Sequence, residues 1–499
     1  MEERYIASID LGSSKFGLCV ARVTGNDVQV LYYKETPSDG IRASIIGNPK
    51  KASIPLMKAV KEAEDELMIH IMQVVVGMPR TNVLQVTANA RIERSTPDEY
   101  ITDEEVQNLK SIALETYPLP NPDKDIMYGA VAQSFSIDDQ IQLVESDVVG
   151  TLSGSLEGNF KVFVGSRTAT TALDKIFNSM EIAIAKKYFL PDVVAKTVLN
   201  ADEMQNGIAL VDIGAGVTSV AIYHGGIMRY YASIPFGGKA ITNDIRTECS
   251  ISEQLAEKIK RRFGACQPGK LASLSEKVLQ IRLTEPYKEV PVRYISEIID
   301  CRTREIVDAV LYYIQESGLQ NAIRCGIVLT GGGASLANLS ALVKEMSGYD
   351  VRTGCPKYQF SASVESGVHR NPAAAAAIGM ILAARDDRLP DCVNVPEPEP
   401  AAEEEQVEVE VEVEVQEESP ALASEPEVRQ IPEEELRRGE TGTLLAPEEF
   451  GEPVEKPARR KKVKKVKLPK TDVEKPSILS IVWTKVQDAA IKVYDKANE

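Results

Sequence analysis

Ile6-Ala7-Ser8-Ile9-Asp10-Leu11-Gly12-Ser13-Ser14-Lys15 and Ala209-Leu210-Val211-Asp212-Ile213-Gly214-Ala215-Gly216-Val217-Thr218 are near-copies of one another, set about two hundred residues apart. Each places an aspartate and then small residues at the end of an apolar, β-branched run, the pattern of a strand that turns back on itself. A chain that builds the same acidic, glycine-containing hairpin twice is expected to have two similar lobes facing one ligand. The simplest such ligand is a nucleotide phosphate with its metal.

Chemistry at a β- or γ-phosphate requires a metal held by carboxylates through water, backbone donors around the phosphate oxygens and little side-chain bulk. Asp10 and Asp212 are the candidates to hold magnesium-bound water. Gly12, Ser13 and Ser14, opposed by Gly214, Ala215, Gly216 and Thr218, are candidates to present amides and hydroxyls from two sides. Lys15 reads either as a phosphate contact or as a solvent-facing strand residue. One Asp-x-Gly turn is weak evidence, because such turns are common. Two in matching strand contexts, together with Thr330-Gly331-Gly332-Gly333, are much stronger. The three glycines let a backbone approach a nucleotide closely, and they equally suit a tight strand-to-helix turn. The chain has no GxxxxGK[ST] loop and no dinucleotide fingerprint.

Along the chain, the apolar period switches repeatedly between 2 and 3.6, which argues for α/β layers. Residues 5–34 read as two strands around the first aspartate, 55–69 as a helix and 71–77 as a strand. Residues 83–165 read as a small α+β insertion, with strands near 83–95, 128–137 and 161–164 and a helix at 103–117. Helices are expected at 170–180 and 193–199, a continuous helical pattern at 240–262, a long helix at 291–317, another at 336–346, and a tightly packed alanine-rich helix after Asn371-Pro372.

The net charge of -17 is concentrated near the C-terminus, where the chain becomes rich in Glu, Pro and Ala from about residue 396. The Val-Glu alternation at 407–415 is read as a disordered acidic segment, because its glutamates repel and it has no aromatic partners. Its sign then reverses in Arg459-Arg460-Lys461-Lys462-Val463-Lys464-Lys465. Directly after it, Pro476 and Ser477 start a helical pattern. Ile478, Leu479, Val482, Trp483, Val486 and Val493 share its apolar face, with Lys485 and Lys492 at the edge. This is the pattern of a helix lying in a membrane interface behind a cationic approach segment; the same face also suits docking on a folded domain. The basic patch has no interleaved aromatics, which argues against nucleic acid. Seven Cys at irregular spacing and three His argue against a zinc site or disulfide framework. The charged start of the chain is no signal peptide and no run reaches transmembrane length, so a cytosolic protein with peripheral membrane contact is expected.

Residues 5–390 resemble the superfamily of actin, hexokinase and the heat-shock chaperone ATPases. The resemblance rests on Asp10 to Lys15, Asp212 to Thr218 and Ile327-Val328-Leu329-Thr330-Gly331-Gly332-Gly333-Ala334. More narrowly, Pro235-Phe236-Gly237-Gly238-Lys239 and Ala256-Glu257-Lys258-Ile259-Lys260 are similar to the FtsA family of bacterial division proteins. That resemblance implies an actin-like α/β fold with two lobes around an ATP and Mg2+ cleft, and nucleoside contacts from Glu257 and Lys260 with Gly331, Gly332 and Gly333. It implies first-lobe core at 1–82 and 166–205, a relocated inserted subdomain at 83–165, second-lobe core at 206–241 and 306–392, and a small subdomain at 242–305. A linker at 393–476 and an amphipathic membrane helix at 477–494 complete the layout. The implied role is a polymerising adaptor that tethers FtsZ filaments to the inner membrane at the septum and recruits later division proteins. Leu190 stands where many relatives carry a water-positioning acid, leaving Asp192, Asp202 or Glu203 as displaced substitutes, so ATP binding is a firmer expectation than hydrolysis. The rival readings are a scaffold of a pilus or secretion system with the same fold and a soluble small-molecule kinase.

Overall fold

The computed structural model describes residues 3–138, 140–271, 276–281, 288–357, 360–363, 366–394 and 450–451. The apolar face of 477–494 and nearly all of the acidic and basic linker therefore lie outside the described residues. Within that linker, Phe450–Gly451 pairs with Gln280 and Ile281.

Two sheets repeat one arrangement. In the first, Glu3–Leu11 is flanked on one side by its hairpin partner Lys15–Thr24 and then Asp27–Pro37, all antiparallel. On its other side it is flanked by Gln73–Gly77 and then Ala183–Tyr188, both parallel. In the second, Ile208–Ile213 has Thr218–His224 and Ile227–Ile234 on the antiparallel side. Ile327–Thr330 and Val351–Thr353 lie on its parallel side. The five-strand order is the same in both; Ser361–Ala362 adds a sixth strand beside Asp27–Pro37 in the first.

Strands buried on both faces read as continuous apolar runs, and Ile208–Ile213 is buried at every position. Its alternate residues serve two cores. Ile208 and Leu210 join a cluster that also holds the first sheet, whereas Ala209, Val211 and Ile213 join a second cluster around the helix Val292–Glu316. The helices Leu190–Val198 and Ala375–Asp386 pack in the first cluster, with Ser8 donating to the Ala377 carbonyl at 2.9 Å. Residues Leu84–Glu93, Asp125–Ile137, Gln140–Leu143 and Ser155–Ser166 form a separate antiparallel sheet. The helix Asp103–Thr116, opened by a Thr102/Glu105 capping box, covers that sheet over a third core.

Several elements differ from their expected limits, each for a local reason. Residues 5–34 hold three strands, not two, because Gly25 takes φ +63° and turns the chain at Asn26. The first helix starts at Pro49, capped by Asn48, and Pro55 lies inside it rather than opening it. The strand around 161–164 extends over Ser155–Ser166, since Gly158 and Asn159 also pair with strands on both sides. The pattern at 240–262 is two helices, Gly238–Cys249 and Glu253–Phe263. Ser250 at φ 52° ends the first and the Ser252 side chain caps the second. The glycine run forms a short 3-10 turn, Gly332–Ser335, so the following helix begins at Leu339 rather than 336.

The alanine-rich helix is as tightly packed as its composition suggests. A β-carbon at Gly379 would stand 2.6 Å from Thr197 Oγ1 and 2.7 Å from the Val193 carbonyl oxygen. Gly379→Val should therefore lower stability by about 1–3 kcal/mol through overpacking. Urea unfolding of the two chains measures this, and an unchanged midpoint would show that the helices separate freely.

Candidate functional site

Both aspartate hairpins fold to one plan. Asp10 sits across from Gly17 and Asp212 across from Ser219, each seven residues on. The turns close by the same bond, Gly12 N–H to the Lys15 carbonyl at 3.1 Å and Gly214 N–H to the Val217 carbonyl at 2.9 Å. A β-carbon would lie 2.5 Å from that acceptor at Gly12 and 2.8 Å from it at Gly214, so the turn itself requires glycine. The two turns meet: a β-carbon on Gly216 would be 2.7 Å from Ser13 Oγ and 2.9 Å from the Ala43 nitrogen. Behind the second turn, the amides of Gly238 and Lys239 donate to the carbonyls of Gly214 and Ala215 at 2.9 and 2.8 Å.

The glycine run closes the third side. Gly331 has φ +80°, and a side chain there would strike Asp212 Oδ1 at 2.2 Å. Exposed Gly332 faces Lys15, whose Nζ is 3.9 Å from where a β-carbon would be. Thus Asp10, Asp212, Lys15, both small-residue turns and Gly331 to Gly333 converge.

The residue at their centre was not found from the sequence. Arg80, three residues past the strand Gln73–Gly77, places Nη2 3.3 Å from Asp10 Oδ1 and pairs through Nη1 with Asp212 Oδ2. The three side chains are only 15%, 20% and 11% exposed for Arg80, Asp10 and Asp212. Burial pushes the Asp10 carboxyl above its ordinary value; Arg80 opposes that shift and Asp212 adds to it. The backbone of Arg80 is held from behind. Its N–H donates to Ser44 Oγ at 3.0 Å, and the Tyr231 hydroxyl donates to its carbonyl at 3.0 Å. Ser44 and Ala43 form the two-residue loop between Ile41–Arg42 and Ile45–Ile46, at φ 63° and 46°. The Thr81 hydroxyl donates to the Ala43 carbonyl and the Ser44 amide to Ser13 Oγ. Arg80 reaches this place because Gln73–Gly77 runs parallel to the first aspartate strand, and residues just past the carboxyl ends of parallel strands gather at one edge; no local sequence signal marks it.

This arrangement does not fit the expected water-mediated magnesium site. Both carboxylates turn to a guanidinium that lies between them, and its permanent charge opposes a dication at that place.

The other expected residues are placed as follows. Lys15 Nζ pairs with Glu35 at 2.5 Å, and Glu35 also accepts from Tyr33 and from Asn371, each at 3.0 Å. Ser14 is exposed at the turn, its carbonyl accepting from the Ser38 amide. Thr218 departs from the expected phosphate contact: it is fully buried and its hydroxyl donates to the Phe236 carbonyl at 3.0 Å, since it already lies in the returning strand. Lys260 Nζ bonds Glu257 at 2.6 Å, Thr242 at 2.8 Å and the Gly238 carbonyl at 2.9 Å, tying one helix to the start of the other beside Gly214. Desolvation holds the Lys260 ammonium below its ordinary value although Glu257 pulls the other way. Arg80, Asp212 and Ser219, with Leu190, Pro191, Val194, Leu210 and Ala221, line a void of about 10 Å³, room for about one water. Two of the three acids considered as substitutes are engaged elsewhere, Asp192 with Lys196 at 3.1 Å and Glu203 with Arg352 at 2.7 Å.

Burial works against ionisation of Glu35, yet Lys15, Asn371 and Tyr33 together hold its carboxyl below the ordinary 4.5. A group depressed on folding contributes stability that is present above its unfolded value and lost as pH falls through the folded one. Glu35→Gln should accordingly lose less stability than the parent chain as pH drops below 4.5. Urea midpoints taken across that range test the point, and parallel acid limbs would remove Glu35 from the account.

A family model described as "Cell division protein FtsA" matches residues 209–379, which span the second hairpin and the glycine run. The cell division protein FtsA of Borreliella burgdorferi is 27% identical over 384 residues, covering 77% of this chain and 91% of that protein. That of Neisseria meningitidis is 28% identical over 389 residues, with the same coverage of both. Among solved structures, a chain of a PilM-PilN type IV pilus biogenesis complex superposes with a TM-score of 0.55 at 16% identity, over 76% of this chain and 98% of its own, a likeness of fold alone. With its duplicated aspartate hairpins and actin-like fold, the chain is similar to the FtsA cell division proteins, through the family model over residues 209–379 and through these relatives over about three quarters of its length.

Proposed function

We propose that this chain is an ATP-binding, polymerising adaptor that tethers FtsZ filaments to the cytoplasmic face of the inner membrane and recruits later division proteins. The family itself implies nucleotide binding and a peripheral place at the dividing membrane. The observation that supports the nucleotide part of this reading is the meeting of two matched hairpin turns, from two matched sheets, over one cluster of charge.

In this reading Gly12, Ser13 and Ser14 from one side and Gly214, Ala215 and Gly216 from the other receive the phosphates of ATP. Lys15 exchanges Glu35 for a phosphate oxygen. Glu257, Lys260 and Gly331 to Gly333 receive the nucleoside, and Thr218 supports its loop from inside the strand. ATP thereby holds the lobes closed, which favours contacts between subunits, with 83–165 as the inserted subdomain that shares in them. Leu190 and Pro191 offer no group to orient water, so ATP acts as an assembly ligand that is turned over slowly at most. Many subunits in a row convert one marginal helix at 477–494 into stable attachment. No helix among the described residues is long and apolar enough to cross a membrane; in this reading the amphipathic sequence pattern at 477–494 supplies the anchor.

Sedimentation with anionic vesicles tests the adaptor reading. The intact chain should co-sediment in the presence of ATP, and a chain truncated after Lys475 should stay in the supernatant. Equal behaviour of the two removes the membrane role. Trp483→Ala should release the protein from vesicles while nucleotide binding, followed with a fluorescent ATP analogue, stays within about twofold. Co-pelleting with FtsZ filaments is expected of a division adaptor and not of a scaffold serving another assembly.

A further inference from the structure

We propose that Arg80 is the fixed cation of the nucleotide cleft: its guanidinium takes the part of a divalent metal, neutralising Asp10 and Asp212 and meeting the phosphates, so that a nucleoside triphosphate binds without a divalent ion. This rests on the nucleotide reading above and adds to it what balances the charge.

Asp10 and Asp212 belong to different sheets and approach one another with little solvent. Two carboxylates so placed need either a shared proton or a cation between them, and here a cation is present. In a metal site the cation arrives with the ligand; here it is part of the chain. A guanidinium is charged at every accessible pH and carries five N–H donors. Each of its terminal nitrogens is paired with one aspartate, and the remaining donors are available to phosphate oxygens, which match its fork. Magnesium, by contrast, requires a near-octahedral shell that keeps several waters. The guanidinium lies where that shell would have to form.

Arg80 is also hard to displace. Its backbone is fixed on both sides, by Ser44 and by Tyr231, and the loop that carries Ser44 has two non-glycine residues in left-handed backbone. Such strain persists only where surrounding contacts over-determine it. The small void that Arg80 and Asp212 help to line is otherwise walled largely by Leu190, Pro191, Val194, Leu210 and Ala221. An outward swing would leave two poorly solvated carboxylates unpaired, which is strongly unfavourable. Because its two partners come from two sheets, Arg80 also links the lobes across the cleft, a task otherwise left to a metal and its waters.

The test is a titration of the full chain with a fluorescent ATP analogue in excess magnesium and in excess EDTA, with thermal melting in both buffers. The parent chain should bind with affinities that differ by less than about threefold between the buffers. Arg80→Ala should bind at least about tenfold more weakly in EDTA, and magnesium should restore both its binding and its melting temperature. Arg80→Lys, which keeps the charge and loses the fork, should fall between the two and remain indifferent to the metal. Parent binding that is lost in EDTA and restored by magnesium overturns the inference and leaves the nucleotide reading standing. Undiminished binding by Arg80→Ala in EDTA overturns it as well. Binding in neither buffer removes the nucleotide reading, and this inference with it. If Arg80→Ala does not fold, the parent chain in the two buffers still decides.

Discussion

One buried arginine shared by two carboxylates governs the centre of this molecule, because each carboxylate is carried by a different sheet. Burying any one of the three charges alone would be costly. Together they make the mutual approach of the hairpins favourable, and the surrounding backbone is shaped to permit it. Gly12 and Gly214 let each turn fold back tightly, Gly216 lets one turn touch the other, and Gly331 leaves room for the Asp212 carboxylate. The positions at which a side chain would intrude are those at which the charges have to converge.

The same logic explains the duplicated sheets. A hairpin whose outgoing strand is followed by two parallel neighbours brings three carboxyl ends to one edge. Performing this twice, with helices Leu190–Val198 and Ala375–Asp386 between the copies, sets two such edges facing each other. The copies differ in what they bring to that edge: the first contributes Lys15 and, from the loop after its parallel strand, Arg80; the second contributes the glycine run at the corresponding strand end.

The duplicated hairpin was legible in the sequence because it depends on short-range features, an apolar β-branched run ended by Asp, Gly and small residues. The long helix at 292–316 and the strand that includes 161–164 were legible for the same reason of period. Arg80 was not, since a lone arginine after Met78-Pro79 carries no local sign that its partners lie 70 and 132 positions away. Thr218 misled in the opposite direction: it closes a motif that reads as a phosphate loop, but strand pairing has already begun there and its hydroxyl is spent on Phe236. The break at Ser250 was hidden because helical period continues across it, and only the left-handed residue and the Ser252 cap reveal two helices.

The contact at Gly379 bears on how such a molecule can move. Where helices touch through long side chains, they slide past one another by small rotamer changes; here the Gly379 backbone lies against the Val193 carbonyl and Thr197. Interlocked backbones resist sliding and leave rotation as the cheaper displacement. The pair thus has the build of a pivot and not of a sliding contact. Any turning about it that parted the charged edge would carry the far edges of both sheets the opposite way, and so would change the outline of surfaces remote from the cleft.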